Sequence, residues 1–424
     1  MGGNMAKPAI PKHHHQSPPP LLPPRHGPGE TASLPIPDEL LPEIFLRLPT
    51  PADLVRASAT CVSFRRVVAD RSFLRRYRKL HAPPLLGFLS PHNGFQPAEP
   101  PHPSVSAACA VALAADFSFS FVPAPATSHY WAVLDIRDGR FLLASAGRGF
   151  LCVEMVVCDP LHRRYIFVPP IPDDLAAMAA KPAFSETFLL PRGDEAAAAE
   201  ETSFRVMCMV NRQWRAVASH SWSNLLDGLL SSVEERLFYW RWRQYVYGCF
   251  YWISDWEYEM KMLVLDTRRM EFSVADPPSE AKHASSNDIT MIEAGEGMPG
   301  MLIRGHDTFG RIYTIWRNNG GSSSQWRKEK IISPSLGCDY MENGSMGKYL
   351  VLNHLGNSSL ESGLYMLDIK RLKLERVCAS TVHGFPYSNY PPSLSSPTIS
   401  SGVGNAAEEM LKQGSVASSS SELP

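Results

Sequence analysis

The chain has 424 residues, 44% of them hydrophobic and 10% aromatic, long enough for two or three domains and apolar enough to fold. Its 41 basic and 42 acidic side chains leave a formal charge of -1, so it lacks the global field with which nucleic-acid binders neutralise phosphates. Eight cysteines without a Cys-x-x-Cys pair exclude a recognisable zinc or disulfide framework and fit reduced thiols of the cytoplasm or nucleus.

Residues 1–33 are rich in proline and carry no apolar stretch of signal-peptide type, so a disordered segment is expected there. Residues 34–81 then show helical periodicity. Leu41, Ile44, Phe45 and Leu48 share one face by their spacing, and Pro42 places the start of regular helix at Leu41, with a turn before it. Thr50-Pro51-x-Asp53 reads as a capping box with proline at the first helical position. Phe64, Val67 and Val68 mark a third helix, and Ser72 is expected to cap a fourth bearing Phe73, Leu74, Tyr77 and Leu80. A bundle this short has little core of its own and is expected to lean on a partner.

Several residues in this stretch follow a known pattern: Ile36-Pro37, Asp38-Glu39-Leu40-Leu41, Ile44, Arg47-Leu48-Pro49, Asp53-Leu54, Cys61 and Phe64-Arg65. The stretch resembles the F-box, the adaptor-binding module of SCF-type ubiquitin ligases. Ile36 in place of leucine, Thr60 in place of an aliphatic residue and Pro42 within the first helix depart from that pattern. The resemblance implies a Skp-family adaptor, and through it a cullin, as partners. Ile36, Pro37, Leu40, Leu41, Ile44 and Leu48 are the expected docking residues, with Leu54 and Phe64 holding the bundle together.

A proline-rich linker is expected over 82–103. The small-residue run from Ala107 to Ala115 is far shorter than the roughly 20 residues of a membrane span, so no membrane partner is expected. From 104 to 392 short alternating segments divided by Gly, Pro, Asn and Asp predict an all-β domain. Asp135, Asp159, Asp266 and Asp368 are each followed by a polar turn with basic residues and then, six positions on, by an apolar residue. This predicts repeated hairpins whose turns the aspartate holds, with degenerate copies near 204–217 and 311–332. Radial repetition of four-stranded units gives roughly six blades of a β-propeller, with a sandwich or barrel as the alternative. The fold class expected is thus α+β multidomain, a small helical bundle followed by an all-β domain. The Ser-rich segment 393–424 reads as a disordered tail.

Further segments, Pro83-Pro84-Leu85-Leu86-Gly87-Phe88, Gly147-Arg148-Gly149-Phe150-Leu151, Cys158-Asp159-Pro160-Leu161, Pro169-Pro170-Ile171-Pro172 and Gly248-x-x-Tyr251-Trp252, are similar to plant F-box proteins with an F-box-associated propeller. This implies a plant origin and a substrate-receptor role toward a target protein that the sequence does not name. Eleven of residues 238–258 are aromatic. Tyr247, Phe250 and Tyr251 read as propeller core, whereas Trp240, Trp242 and Trp256, standing among charged residues, are candidates for target binding. No nucleotide cradle, nucleophile elbow or metalloprotease helix occurs, so no catalytic residue, metal or cofactor is assigned and the chain is not expected to be an enzyme.

Overall fold

The computed structural model describes residues 37–90, 93–126, 130–145, 154–171, 185–191, 203–210, 213–218, 221–223, 243–254, 260–295, 297–307, 310–318, 326–334, 340–354, 361–379 and 384–399, with the isolated Gly2 and Ser128.

Helical signals in the N-terminal region act where their chemistry places them. A 3-10 turn over Asp38–Leu40 leads into α1 (Leu41–Phe45), which has Pro42 in its first turn, where a missing N–H breaks no hydrogen bond. Thr50 Oγ1 accepts from Asp53 N at 3.2 Å to open α2 (Pro51–Ser58), completing half of the capping box. Cys61 Sγ takes the same role toward Phe64 N, at 3.5 Å, in α3 (Val62–Ala69). The fourth cap differs from expectation. In α4 (Arg71–Leu80) the cap is Asp70, whose Oδ1 accepts from Phe73 N at 2.8 Å, while Ser72 lies inside the helix and donates to the same carboxylate. A carboxylate at the end of four unpaired N–H groups also meets the positive pole of the helix, which favours Asp70 over a hydroxyl two residues later.

The segment expected to be a linker is a strand. Leu85, Leu86, Phe88 and Leu89 are buried in β1 (Leu85–Ser90), which pairs with β2 (Gly94–Pro97) and packs under α5 (Val105–Ala114) through Ala108 and Val111. Proline flanks the strand, where no ladder donor is lost. Gly87 is required within it, because a Cβ there would run into the carbonyl oxygen of Gln96.

Five four-stranded antiparallel sheets follow. They are β3 (Trp131–Arg137), β4 (Arg140–Ser145), β5 (Met155–Asp159) and β6 (Arg164–Val168); then β7 (Ser185–Leu189), β8 (Arg205–Val210), β9 (Gln213–Ala218) and β10 (Ser221–Ser223). The third has β11 (Gln244–Val246), β12 (Cys249–Ser254), β13 (Lys261–Asp266) and β14 (Glu271–Ala275); the fourth has β15 (Ile289–Glu293), β16 (Pro299–Asp307), β17 (Gly310–Asn318) and β18 (Trp326–Ile332). The fifth comprises β19 (Tyr340–Met346), β20 (Tyr349–His354), β21 (Gly363–Asp368) and β22 (Lys373–Cys378). Each is an up-and-down meander, and first strands adjoin one another, β3 with β7, β11 with β15 and β15 with β19, a β-propeller-like arrangement. Where roughly six four-stranded units were expected, the described residues form five. The remaining sheet has three strands in the order β2-β1-β23 and joins β1 from before the five to β23 (Phe385–Ser388) from after them. β23 in turn adjoins β3.

Three of the four aspartate hairpins form as read. Asp159 Oδ1 accepts from His162 N at 3.1 Å, Asp266 Oδ1 from Arg268 N at 2.9 Å and Arg269 N at 3.2 Å, and Asp368 Oδ1 from Lys370 N at 2.9 Å and Arg371 N at 3.0 Å. Each joins the third strand of its sheet to the fourth, and the residue four after the aspartate, Arg163, Met270 or Leu372, has φ near +50°. Asp135 is the exception. The turn beside it is Asp138-Gly139, both at positive φ between the paired Arg137 and Arg140, as a tight two-residue hairpin demands. Asp135 Oδ2 instead accepts from Leu189 N at 2.9 Å and so ties β3 to β7. Gln244 does the same between the third and fourth sheets, accepting from Met291 N at 2.6 Å and donating to Ile289 O at 3.3 Å. Phe250 and Tyr251 are buried between sheets and Tyr247 packs against the cluster that holds Tyr251, as core.

Residues 393–399, assigned by sequence to the disordered tail, are packed: Leu394, Thr398 and Ile399 are buried, so the folded chain extends past 392.

Candidate functional site

The helical module presents two faces. Inward, Leu41, Phe45, Leu46, Leu54, Val68, Phe73, Leu74 and Tyr77 form one buried cluster, with Phe64 half-buried and set edge-on to Phe45 at 4.9 Å between ring centres. Leu54 and Phe64 therefore sit in the bundle core. Outward, Leu40 is 53% exposed and Ile44 42%, Pro37 is exposed, and Leu48 is partly covered. Leu40 and Ile44 are four residues apart and so neighbour one another along the turn-to-helix segment. Leu41 is a correction: at 1% exposure it belongs to the core and has no surface to offer a partner. The spacing of Leu41 with Ile44 misleads because the bundle takes the 41/45 ridge inward and leaves the 40/44 ridge outside. Ile36, Trp240, Trp242 and Trp256 lie outside the described residues.

What closes the module's core comes from the far end of the chain. Tyr390 and Leu394 are buried in the same cluster as Leu54 and Tyr77. The Arg78 guanidinium donates twice to Leu394 O, at 2.6 and 3.1 Å, its Cζ stands 5.9 Å from the centre of the Tyr390 ring, and the Tyr390 hydroxyl donates to His81 O. The same segment is fastened to the β body. Asn389 N donates to Pro84 O at 3.3 Å, Thr398 N and Oγ1 donate to Asp159 Oδ2 at 2.9 and 2.7 Å, and Arg140 and Arg164 donate to the carbonyls of Thr398 and Ile399 at 3.0 and 3.2 Å. Residues 389–399 thus form a strap that holds the helices against the sheet of β3 to β6. No helical or strand periodicity marks this segment. Tyr390-Pro391-Pro392 was its one signal, an aromatic beside a rigid pair inside otherwise serine-rich sequence.

Electrostatics around the module follow from these partners. Hydrogen bonds from Thr50 and Arg56 hold the Asp53 carboxyl below its ordinary range, and those from Ser72 and the Phe73 amide do the same for Asp70. Burial pushes the Tyr77 phenol up to about 12, and its hydroxyl has no hydrogen-bond partner among the described residues. Asp159, where strap meets sheet, is pulled two ways. Burial disfavours its charge, yet hydrogen bonds from His162 and Thr398 outweigh that and hold it below the usual carboxylate range.

Within the β body a cluster of charged side chains joins sheets. Arg243 pairs with Asp135 at 3.2 Å and with Glu186, lies 4.3 Å over the Phe188 ring, and shares Glu186 with Trp252 Nε1 at 2.8 Å. His354 is buried, its Nδ1 3.2 Å from Glu361 O and its ring 4.6 Å from that of Tyr340. Among the described residues no three His, Cys, Asp or Glu side chains are grouped as metal ligands, and no helix is long and apolar enough to cross a membrane.

No curated protein matches the chain. Among solved structures it is similar to the β-propeller domain of the Trilobed protease from Pyrococcus furiosus, at 12% identity and TM-score 0.28 over 58% of this chain and 71% of that one. It is also similar to an acylaminoacyl peptidase of Pyrococcus horikoshii, at 10% identity and TM-score 0.30 over 58% of this chain and 39% of the peptidase. Residues 35–79, the helical module with its outward Leu40 and Ile44, match the F-box-like family.

Proposed function

We propose that the chain is a substrate-receptor subunit of an SCF-type ubiquitin ligase, working in the cytoplasm or nucleus. The module docks on a Skp-family adaptor, and through it a cullin, while the β body presents a target protein. One observation carries this reading: in a segment of F-box-like sequence, Leu40 and Ile44 stay exposed although the module's own core is closed beneath them. An exposed apolar ridge next to a finished core is the ordinary form of a protein-docking surface. The strap supports the reading further, because a receptor acts by position. Tethering raises the effective concentration of target lysines near a charged E2 with no chemistry of the receptor's own, so no catalytic residue or cofactor is assigned.

The test is capture of a Skp-family adaptor by the full chain. Leu40→Asp with Ile44→Asp should abolish capture, since buried interface anchors each contribute about 2 kcal/mol or more, while circular dichroism stays unchanged because both side chains are outside the core. Undiminished capture by that variant overturns the docking surface. Delivery is tested separately: a captured target should accumulate when the proteasome is inhibited, and none accumulating would leave an adaptor-bound scaffold.

A further inference from the structure

Residues 62–80 carry seven basic side chains and one acidic one, in a chain whose formal charge is -1. The structure separates those with internal partners from those without. Arg76 pairs with Glu43 at 2.5 Å, and Arg78 is engaged by Leu394 O. The lone acid, Asp70, is occupied by the α4 amide and the Ser72 hydroxyl, with Arg75 close enough to feel its charge. Arg65, Arg66, Arg71 and Lys79 are exposed and have no ion-pair partner among the described residues.

On α4, Arg71, Arg75 and Lys79 stand four residues apart and form one stripe on the side away from the buried Phe73, Leu74 and Tyr77. Like charges at this spacing oppose the helix, and of the three only Arg75 has an acid near it, Asp70. We propose that the stripe, with Arg65 and Arg66 of α3, receives an acidic segment of the adaptor-side partner; this rests on the adaptor-docking reading above. Charge complementarity selects the partner's sign, and the exposed apolar neighbours select its class. Those neighbours are the aliphatic Val62 and Leu80, at 70% and 65% exposure, whereas Phe73 and Tyr77 are buried and Phe64 is packed on Phe45. A single-stranded nucleic-acid site needs aromatic faces for stacking, which these helices keep inside. The apolar ridge then fixes the complex, and the stripe speeds its formation and orients it.

The probe is a fluorescent 20-residue polyglutamate peptide titrated into the full chain at low and at physiological salt. Binding should weaken with salt. It should fall about tenfold or more in Arg65→Glu/Arg66→Glu/Arg71→Glu/Lys79→Glu, fall less in the corresponding Gln variant, and stay unchanged in Arg163→Glu/Arg269→Glu, which reverses two exposed cations of the β hairpins. With the adaptor as ligand, the fourfold Glu variant should associate about 10- to 100-fold more slowly at low salt with its dissociation rate little altered, whereas Leu40→Asp/Ile44→Asp should lose the complex at any salt. Equal peptide binding by wild type and the fourfold variant overturns the proposal, as does equal weakening by the hairpin control. Tighter binding of a 20-nucleotide RNA or of phosphatidylserine vesicles than of the peptide also overturns it. If the wild-type chain fails to capture the adaptor, the docking reading falls alone, and the peptide titration still decides the chemistry of the stripe.

Discussion

The helical module and the β body solve the same problem, burying apolar surface, in opposite ways. In the body, each four-stranded sheet packs against neighbours that resemble it, and inner-strand side chains such as Asp135 and Gln244 bond across to the next sheet's backbone. The module has four short helices and one core cluster, completed by Tyr390 and Leu394 from about 310 residues away in sequence, the separation recorded in the Arg78–Leu394 hydrogen bonds. A repeated architecture spreads its closure over many similar joints, whereas a small bundle depends on a single one. The difference teaches where this chain is vulnerable and where a partner has room to act.

The sharpest way to break the comparison is to remove the joint. Tyr390→Ala with Leu394→Ala should cost the module about 2 to 5 kcal/mol per side chain, read as lost hydrogen-exchange protection in α4 with β16 and β17 unaffected. Equal loss in both regions would show that they unfold as one unit. Within the module, Leu54→Ala should cost about 2 to 5 kcal/mol and Ile44→Ala no more than about 0.5 kcal/mol. Similar costs in chemical denaturation would place Ile44 inside the core after all.

The Asp159 carboxylate links the strap to the sheet and gives a pH handle. Its folded-state pKa lies below the unfolded one, so its stabilisation is fully present above about pH 4 and fades as pH falls through the folded value. Asp159→Asn should flatten that acid limb of the stability curve and cost about 1.5 to 3 kcal/mol at neutral pH; an unchanged acid limb would assign the acid sensitivity to other carboxylates. The smallest effect is expected at Tyr77. Its buried hydroxyl has no partner among the described residues, so Tyr77→Phe should leave stability unchanged or raise it by up to about 1 kcal/mol. A clear loss would mean that the hydroxyl has a bond in solution that packing alone does not supply.

Much of the local structure was legible in the residues. The Thr50-Pro51-x-Asp53 box, the start at Leu41-Pro42 and the turns held by Asp159, Asp266 and Asp368 form where their side-chain chemistry directs, because each is settled within a few residues. Asp135 shared the surrounding pattern and took another role, since a carboxylate is claimed by whichever amide the folded chain brings nearest, here Leu189 N. The proline-flanked 85–90 segment read as a linker because one of its two partner strands, 385–388, lies near the other end of the chain. On the candidate site, periodicity found the apolar helix positions but did not separate Leu41, which is buried, from Leu40 and Ile44, which are not.

By itself, then, the order of residues determined the caps, the turns, the alternation of strands and the F-box-like character of residues 35–79, all of them short-range consequences of side-chain chemistry and spacing. Tertiary structure alone decided which apolar ridge faces outward, that the first and last of the described strands share a sheet, and that residues 389–399 clasp the helices. Those outcomes turn on contacts between segments hundreds of residues apart, whose free energy exists only once the chain has closed.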